Sequence, residues 1–317
     1  MTANTSTKRF PEYLPDAVSE LTELTSIELA QQIRQVSVQT ALSDRPISTT
    51  YVRQGQGQPP LLLLHGFDSS LLEFRRLFPL LAEERETWAI DLLGFGLSDR
   101  TQTPSITPDA IKHHLHCFWQ QQIGQPIVLI GASMGGATAL DFTLTYPELV
   151  SHLVLLDSAG FAAGPAMDKF MFPPLDRWAT AFLKNPGVRR RISLQAYYDK
   201  TFVTPDAEVC ASLHLNCPNW SEALVAFTKS GGYNFLADKI NQIAVPTLIL
   251  WGRQDKILGI KDAMQFNAEI DPSQLVWIDN CGHVPHLEKA PNTAAIIKQI
   301  LKNAQPVRPG SLNDDAP

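Results

Sequence analysis

Hydrophobic positions recur at two different periods along this chain, and the change of period divides it. From Asp16 to Leu42 the apolar residues Val18, Leu21, Leu24, Ile27, Ala30, Ile33 and Val36 step by three, the spacing of one helix face. Thr25 followed by Glu28 has the form of a capping box, which predicts a break into two short helices. Residues 1–46 therefore read as an N-terminal helical extension packed on the body of the protein. From residue 47 short apolar runs take over: Thr49–Arg53, Leu61–Leu64, Thr87–Ile90, Ile127–Ile130, Leu153–Leu156, Thr247–Trp251 and Leu275–Ile278. Helix-like stretches separate most of them, at Leu71–Glu84, Asp109–Ile123, Gly135–Tyr146 and Asp262–Ile270, with a last one at Thr293–Asn303. Apolar strands alternating with helices predict an α/β fold whose mostly parallel central sheet is covered by helices on both faces.

One connection breaks the alternation. The stretch between Asp157 and Thr247 is too long to be structureless, so residues 161–240 are expected to form a helical cap, or lid, inserted after the sixth strand. It carries 12 of the chain's 27 aromatic residues, enough to build a small core and to line an apolar pocket. Phe161, Phe170, Trp178, Trp220, Phe227 and Tyr233 are the candidates for contact with a substrate. Residues 47–160 and 241–304 would then form the α/β core. Residues 305–317, rich in Pro, Asp and Asn, read as a disordered tail.

Composition narrows the classes of function. Lys and Arg total 26 against 32 Asp and Glu, a formal net charge of −6, which argues against the positive field that nucleic-acid binding needs. Four cysteines with no CxxC pair make no disulfide framework and fit a reducing compartment. Met1–Arg9 is polar and lacks the apolar stretch of a signal peptide, and no run approaches the ~18 apolar residues of a membrane span. A cytoplasmic protein is expected, with no integral membrane segment and with peripheral membrane contact as its nearest approach to a bilayer.

The sharpest chemical signal is Gly131-Ala132-Ser133-Met134-Gly135, a G-x-S-x-G motif between an apolar strand and a helix-like segment. So tight a turn needs glycine on both sides and would project the Ser133 hydroxyl beyond the sheet. A serine hydroxyl is a poor nucleophile near neutral pH, so a base must take its proton and a carboxylate must orient that base. Asp255 follows the strand Thr247–Trp251, and His283 follows Leu275–Ile278, so both would reach the same edge of the sheet. His65-Gly66-Phe67 follows another strand, and the backbone N–H groups of Phe67 and Met134 are the candidate oxyanion hole. His65 itself suits a structural role.

Several other residues are of types that can carry chemistry. His113, His114 and His116 share a helix with no acidic partner a turn away except Asp109, which favours a helix-surface cluster over a metal site. His286 is an alternative base and Asp157 an alternative acid. Arg189-Arg190-Arg191 could attract an anion but reads as a solvated face. Cys210, Cys217 and Cys281 read as small, mostly buried side chains. No metal or organic cofactor is called for.

Over roughly residues 47–303 the chain resembles the α/β-hydrolase superfamily. The resemblance rests on His65-Gly66-Phe67-Asp68, the segment Asp91 to Asp99, the elbow at Ser133, Trp251-Gly252-Arg253-Gln254-Asp255, and Gly282-His283 with Glu288 and Pro291 behind it. The order Ser133, Asp255, His283 is the chain order of that superfamily. The resemblance implies that Asp91 to Asp99 is a structural loop. Position 132 is Ala where many members carry His. Epoxide hydrolases and haloalkane dehalogenases of this superfamily carry aspartate at the elbow, so Ser133 disfavours those chemistries. His65 to Phe78 and Thr228 to Phe235 are similar to cyanobacterial and plastid hydrolases linked to esters of long isoprenoid alcohols. The expected activity is serine-dependent cleavage of an ester with an apolar acyl or alcohol part. A carbon–carbon hydrolase, lyase or perhydrolase on the same triad is the alternative, as is a ligand receptor that retains it.

Overall fold

The structure is a computed structural model and describes residues 10–101, 105–161 and 175–303. Its centre is a sheet of eight strands among the described residues: β1 (Arg34–Val38), β2 (Ile47–Gln54), β3 (Leu61–Leu64), β4 (Thr87–Ile90), β5 (Ile127–Ala132), β6 (Val150–Leu156), β7 (Thr247–Gly252) and β8 (Ser273–Ile278). Their spatial order is β1-β2-β4-β3-β5-β6-β7-β8. β1 and β2 pair antiparallel, as do β2 and β4, and every later pair is parallel. All residues of β3, β4, β5 and β7 are buried, as parallel strands covered on both faces require.

The two-residue period of a strand splits the core between the faces. Leu62 and Leu64 join one apolar cluster, with Ile111 and Phe118 of α3 (Pro108–Gln122), Leu140 of α4 (Met134–Thr145) and Phe266 of α9 (Lys261–Glu269). Leu61 and Leu63 join the other, with Leu29 of α1 (Leu24–Gln32), Phe78 of α2 (Phe78–Ala82) and Ile297 of α11 (Ala290–Asn303). Register aligns the carboxyl ends of the parallel strands: Leu64 pairs with Gly131, Ala132 with Leu156, and Gly252 with Ile278. The turns that leave these ends therefore share one edge.

Between β6 and β7 the described helices are α5 (Leu175–Lys184), α6 (Pro186–Ala196), α7 (Pro205–Ser212) and α8 (Trp220–Lys229), with short 3-10 turns. They form a helical segment inserted between these two strands. It meets the sheet edge through backbone as well as side chains, as where the His283 N–H donates to Ala196 O at 2.7 Å. α10 (Pro285–Glu288) lies beside it, and the Glu288 carboxylate accepts from the Tyr198 and Asp199 N–H groups. Among the described residues no helix is long and apolar enough to cross a membrane.

The N-terminal segment departs from expectation. A short 3-10 helix (Asp16–Glu20) and α1 form, but Arg34–Val38 is a strand paired with β2, Val36 opposite Thr49. Val36 serves both patterns, three residues after Ile33 and two before Val38, and the β-branched Val36 and Val38 alternating with Gln35 and Ser37 settle on the pleat. The Thr25 capping box does not form. The N-cap is Glu23, and Asp206 of α7 instead takes the Thr22 and Glu23 N–H groups at 2.6 and 2.8 Å and the Ser26 hydroxyl at 2.5 Å. The stretch Leu71–Glu84 also divides, into a 3-10 turn (Leu71–Phe74) and α2, where Pro79 fits the first turn because no donor is needed there. Residues 305–317 lie outside the described residues.

Candidate active site

Ser133 is the only residue between β5 and α4, and it holds φ 51° and ψ −119°. A Cβ on Gly131 would meet Gly135 O at 2.3 Å, and one on Gly135 would meet Leu64 O at 2.0 Å. Both glycines are therefore dictated by backbone contact, and together they force the serine out over the sheet edge. The turn is locked from either side: Ser133 N–H donates to Leu156 O, and Ala159 N–H donates to Ser133 O, both at 3.0 Å. Met134 opens α4, so its N–H has no acceptor within the helix.

His283 and Asp255 come together at the same edge. Nδ1 of His283 lies 2.9 Å from Asp255 Oδ2, while Asp255 Oδ1 accepts from the Ile257 and Leu258 N–H groups at 2.7 and 3.2 Å. Both carboxylate oxygens are thus occupied, and Nε2 is the ring nitrogen left to face the cleft. Ser133 and His283 both line a cleft of about 310 Å³ between the sheet edge and the helices α5 and α6, with Gly66 and Phe67. The rest of its wall is largely apolar, including Leu183, Ile192, Ala196, Ile257, Val284 and Leu287.

The turn after β3 is braced from behind. Leu92 N–H donates to His65 Nε2 at 3.1 Å, so the proton sits on Nδ1, which donates to Gly66 O at 2.8 Å. His65 is a loop support, not a base. Asp91 accepts from the N–H groups of Leu71 and Leu97 and from the Thr50 hydroxyl, and a Cβ on Gly96 would strike its carboxyl at 2.1 Å. The segment Asp91 to Asp99 is accordingly architectural.

Asp157, at the end of β6, is fully buried and accepts from the Gly252 N–H at 3.0 Å. Burial, and then the neighbouring Asp255 charge, push its carboxyl well above the usual carboxylate range. Its ligand atoms, with those of Asp255 and His283, fall within 4.8 Å of one another. Such a donor set could contact a cation, yet the histidine hydrogen bond goes to Asp255 and a carboxyl held toward its neutral form is a poor ligand.

The aromatic residues expected to touch substrate are elsewhere. Phe161 packs on Phe266 with ring centroids 4.6 Å apart. Trp178 is 66% exposed. Trp220 is buried and its indole N–H donates to Asp68 at 2.8 Å. Phe227 is wedged between Phe67 and Phe95, and the Tyr233 hydroxyl accepts from Thr138 at 2.9 Å. Phe170 lies outside the described residues. None of the five described aromatics is in the cleft wall, because their faces are consumed by the joint between cap and sheet or, for Trp178, left in solvent.

Two acidic residues of the wall, Asp68 and Glu73, have no role assigned to them by the sequence. Asp68 accepts from Arg189 at 2.7 Å and from Trp220, with His214 Nε2 3.0 Å away. Burial works against its charge, but the His214 contact, Arg189 and Trp220 overcome it and hold the carboxyl at about 2. Glu73 accepts from Gly66 N–H at 3.0 Å and lies 2.8 Å from His286 Nε2. Burial is again outweighed, here by His286, Ser69 and His65, and Glu73 is held at about 2. His286 is thereby paired away from Ser133. The available signal was an acid amid the apolar Leu71, Leu72 and Phe74.

The remaining candidates also find places. Arg189 is in the cleft wall, against the expectation of a solvated face, while Arg190 pairs with Glu208 and Arg191 is exposed. His114 is buried rather than on the helix surface; it lies 2.8 Å from Thr49 Oγ1, and burial lowers it to about 4. Cys210 and Cys281 are buried and Cys217 half-buried, and burial raises all three thiols.

The family model for the α/β hydrolase fold matches residues 59–290. The chain belongs to the α/β-hydrolase fold family. Among its relatives in that family is the alpha/beta hydrolase domain-containing protein VTE7 of Arabidopsis thaliana, 32% identical over 298 residues, covering 92% of this chain and 89% of that protein. Another is the 2-hydroxy-6-oxo-6-(2'-aminophenyl)hexa-2,4-dienoic acid hydrolase of Metapseudomonas resinovorans, 28% identical over 273 residues, with 82% and 90% covered. A solved α/β-hydrolase structure, that of a serine hydrolase involved in carbazole degradation, superposes with a TM-score of 0.71 at 25% identity, covering 86% of this chain and all of that one. Lipases are also among the relatives of this hydrolase.

Proposed function

We propose that this hydrolase cleaves a carboxylic ester with an apolar acyl or alcohol part through an acyl-enzyme. Ser133 attacks the carbonyl carbon while His283 Nε2 takes its proton, and Asp255 holds the imidazole and stabilises its charged form. The N–H groups of Phe67 and Met134 receive the oxyanion, and His283 returns the proton to the leaving alkoxide. Water, activated by the same imidazole, then releases the acid. Within this reading residues 161–240 act as the substrate lid, 47–160 with 241–304 as the catalytic core, and the protein works in the cytoplasm.

The observation that carries this reading is the meeting of Ser133 and His283 in one apolar-walled cleft, with Asp255 hydrogen-bonded behind. The relatives whose names include lipase agree with it. The dienoic acid hydrolase keeps a second reading open, carbon–carbon cleavage by the same residues. A panel of p-nitrophenyl esters of increasing chain length tests the first reading. Multiple turnovers that disappear in Ser133→Ala and His283→Ala support it. Absence of turnover on every ester, in a folded protein, would defeat it in favour of the second.

A further inference from the structure

We propose that Glu73 makes the cleft selective for uncharged substrates and turns away those that carry a carboxylate. The inference rests on the ester-hydrolase reading and adds to it the charge of the substrate. Among the described residues, Asp68, Glu73 and Arg189 are those with a permanently charged side chain that line the cleft. The one cation of these, Arg189, is committed. It donates to Asp68 Oδ2 at 2.7 Å and to Ala211 O at 2.5 Å, and the other Asp68 oxygen is taken by Trp220 at 2.8 Å with His214 3.0 Å away. The Arg189 Nε has no partner but is buried, and Asp68 balances the guanidinium charge, so this pair is a poor receptor for an incoming anion.

Glu73 is placed differently. One of its oxygens accepts the Gly66 N–H, and the other faces His286, which is 1% exposed and is not part of the cleft wall. The carboxylate therefore stands between the imidazole and the cleft. A methyl group added to Gly66 would lie 3.4 Å from Glu73 Oε2 and 3.4 Å from Ser133 Cβ, so the acid and the serine flank the same glycine. A substrate carboxylate close to the reacting carbonyl would meet the Glu73 carboxylate before the imidazole paired behind it, in a cleft of low polarity where repulsion is poorly screened. An apolar chain meets no such penalty.

Three esters of matched length provide the test: p-nitrophenyl pentanoate, mono-p-nitrophenyl glutarate and the p-nitrophenyl ester of trimethylammonio-butanoic acid. After subtraction of uncatalysed hydrolysis, wild-type kcat/KM should favour the pentanoate over the glutarate by roughly 100-fold, with the cationic ester well above the glutarate. Glu73→Gln keeps an oxygen for Gly66 N–H and should narrow the first ratio by roughly tenfold or more. Equal use of glutarate and pentanoate by the wild type overturns the proposal. So does a Glu73→Gln enzyme whose ratio is unchanged, including one that loses both substrates alike. Should no ester turn over while a neutral alkyl fluorophosphonate still labels Ser133, the ester reading fails by itself. The labelling rates of the neutral probe and its ω-carboxylate analogue then make the same comparison. No labelling of Ser133 at all defeats both.

Discussion

The sheet edge that presents Ser133 and the cap that walls the cleft are organised by different physics. At the edge, position follows from backbone: strand register, a serine at positive φ, and glycines whose missing Cβ atoms let Gly131, Gly135 and Leu64 approach. In the cap, position follows from a few buried polar ties to distant parts of the chain. Asp68 reaches Arg189, His214 and Trp220, which lie 121, 146 and 152 residues away. Asp206 ties α7 to the N-terminal segment, and Glu288 ties the turn after α6 to α10. The proposed reacting groups are thus held by strand register and turn geometry, and the shape of the proposed substrate site by long-range pairs. Chemistry and selectivity should respond to different substitutions.

The largest effect is expected at the edge. Ser133→Ala should lower ester kcat by about 10⁴-fold or more while leaving the melting temperature within a degree or so of wild type. A comparable rate in the variant would separate the elbow from the reaction. Gly135→Ala should damage the same region through the fold, since its methyl would be driven into Leu64 O. Chemical denaturation should show a loss of about 3 kcal/mol, or a protein that does not fold at all. An unchanged denaturation midpoint would mean that the elbow has slack.

The cap should answer in another currency. Asp68→Ala leaves Arg189 charged in the cleft wall without its partner, and a loss of about 3 kcal/mol is expected from breaking such a pair. Its kinetic mark should be a raised KM with a smaller change in kcat. A fall in kcat with KM unmoved would place Asp68 with the reacting groups instead. Acid should weaken the same ties. Asp68 and Glu73 are depressed to about 2 in the folded protein, so their stabilisation is complete above the ordinary carboxylate range near pH ~4 and is lost as pH falls toward their folded values. Melting temperatures measured downward from pH 5 should fall, and less steeply in Glu73→Gln. The smallest effect belongs to Trp178→Ala. At 66% exposure it should shift stability by no more than ~0.5 kcal/mol and leave turnover of short esters unchanged.

The two regions also differed in how far they could be read from sequence. The strand ends, the elbow and the order Ser133, Asp255, His283 were legible because each is a short local pattern with a steric reason. β1 was not, because Val36 belongs both to a three-residue step from Ile33 and to a two-residue step to Val38, and only pairing with β2 decides between them. The cap's aromatic content was visible, but which faces turn inward depends on neighbours such as Phe95 and Phe266 from other elements. Glu73 carries no motif. Its meaning comes from Gly66 and His286, which only the folded chain brings to it.

The proposed chemistry requires Ser133 to be a nucleophile activated by the His283–Asp255 pair. Peptide mapping of the adduct formed with a fluorophosphonate, in wild type and in His283→Ala, measures this in one experiment. The expected result is a single adduct on Ser133 that forms rapidly in wild type and is lost or strongly slowed without the imidazole. An adduct on another residue, or labelling of Ser133 at the same rate in both proteins, would contradict it.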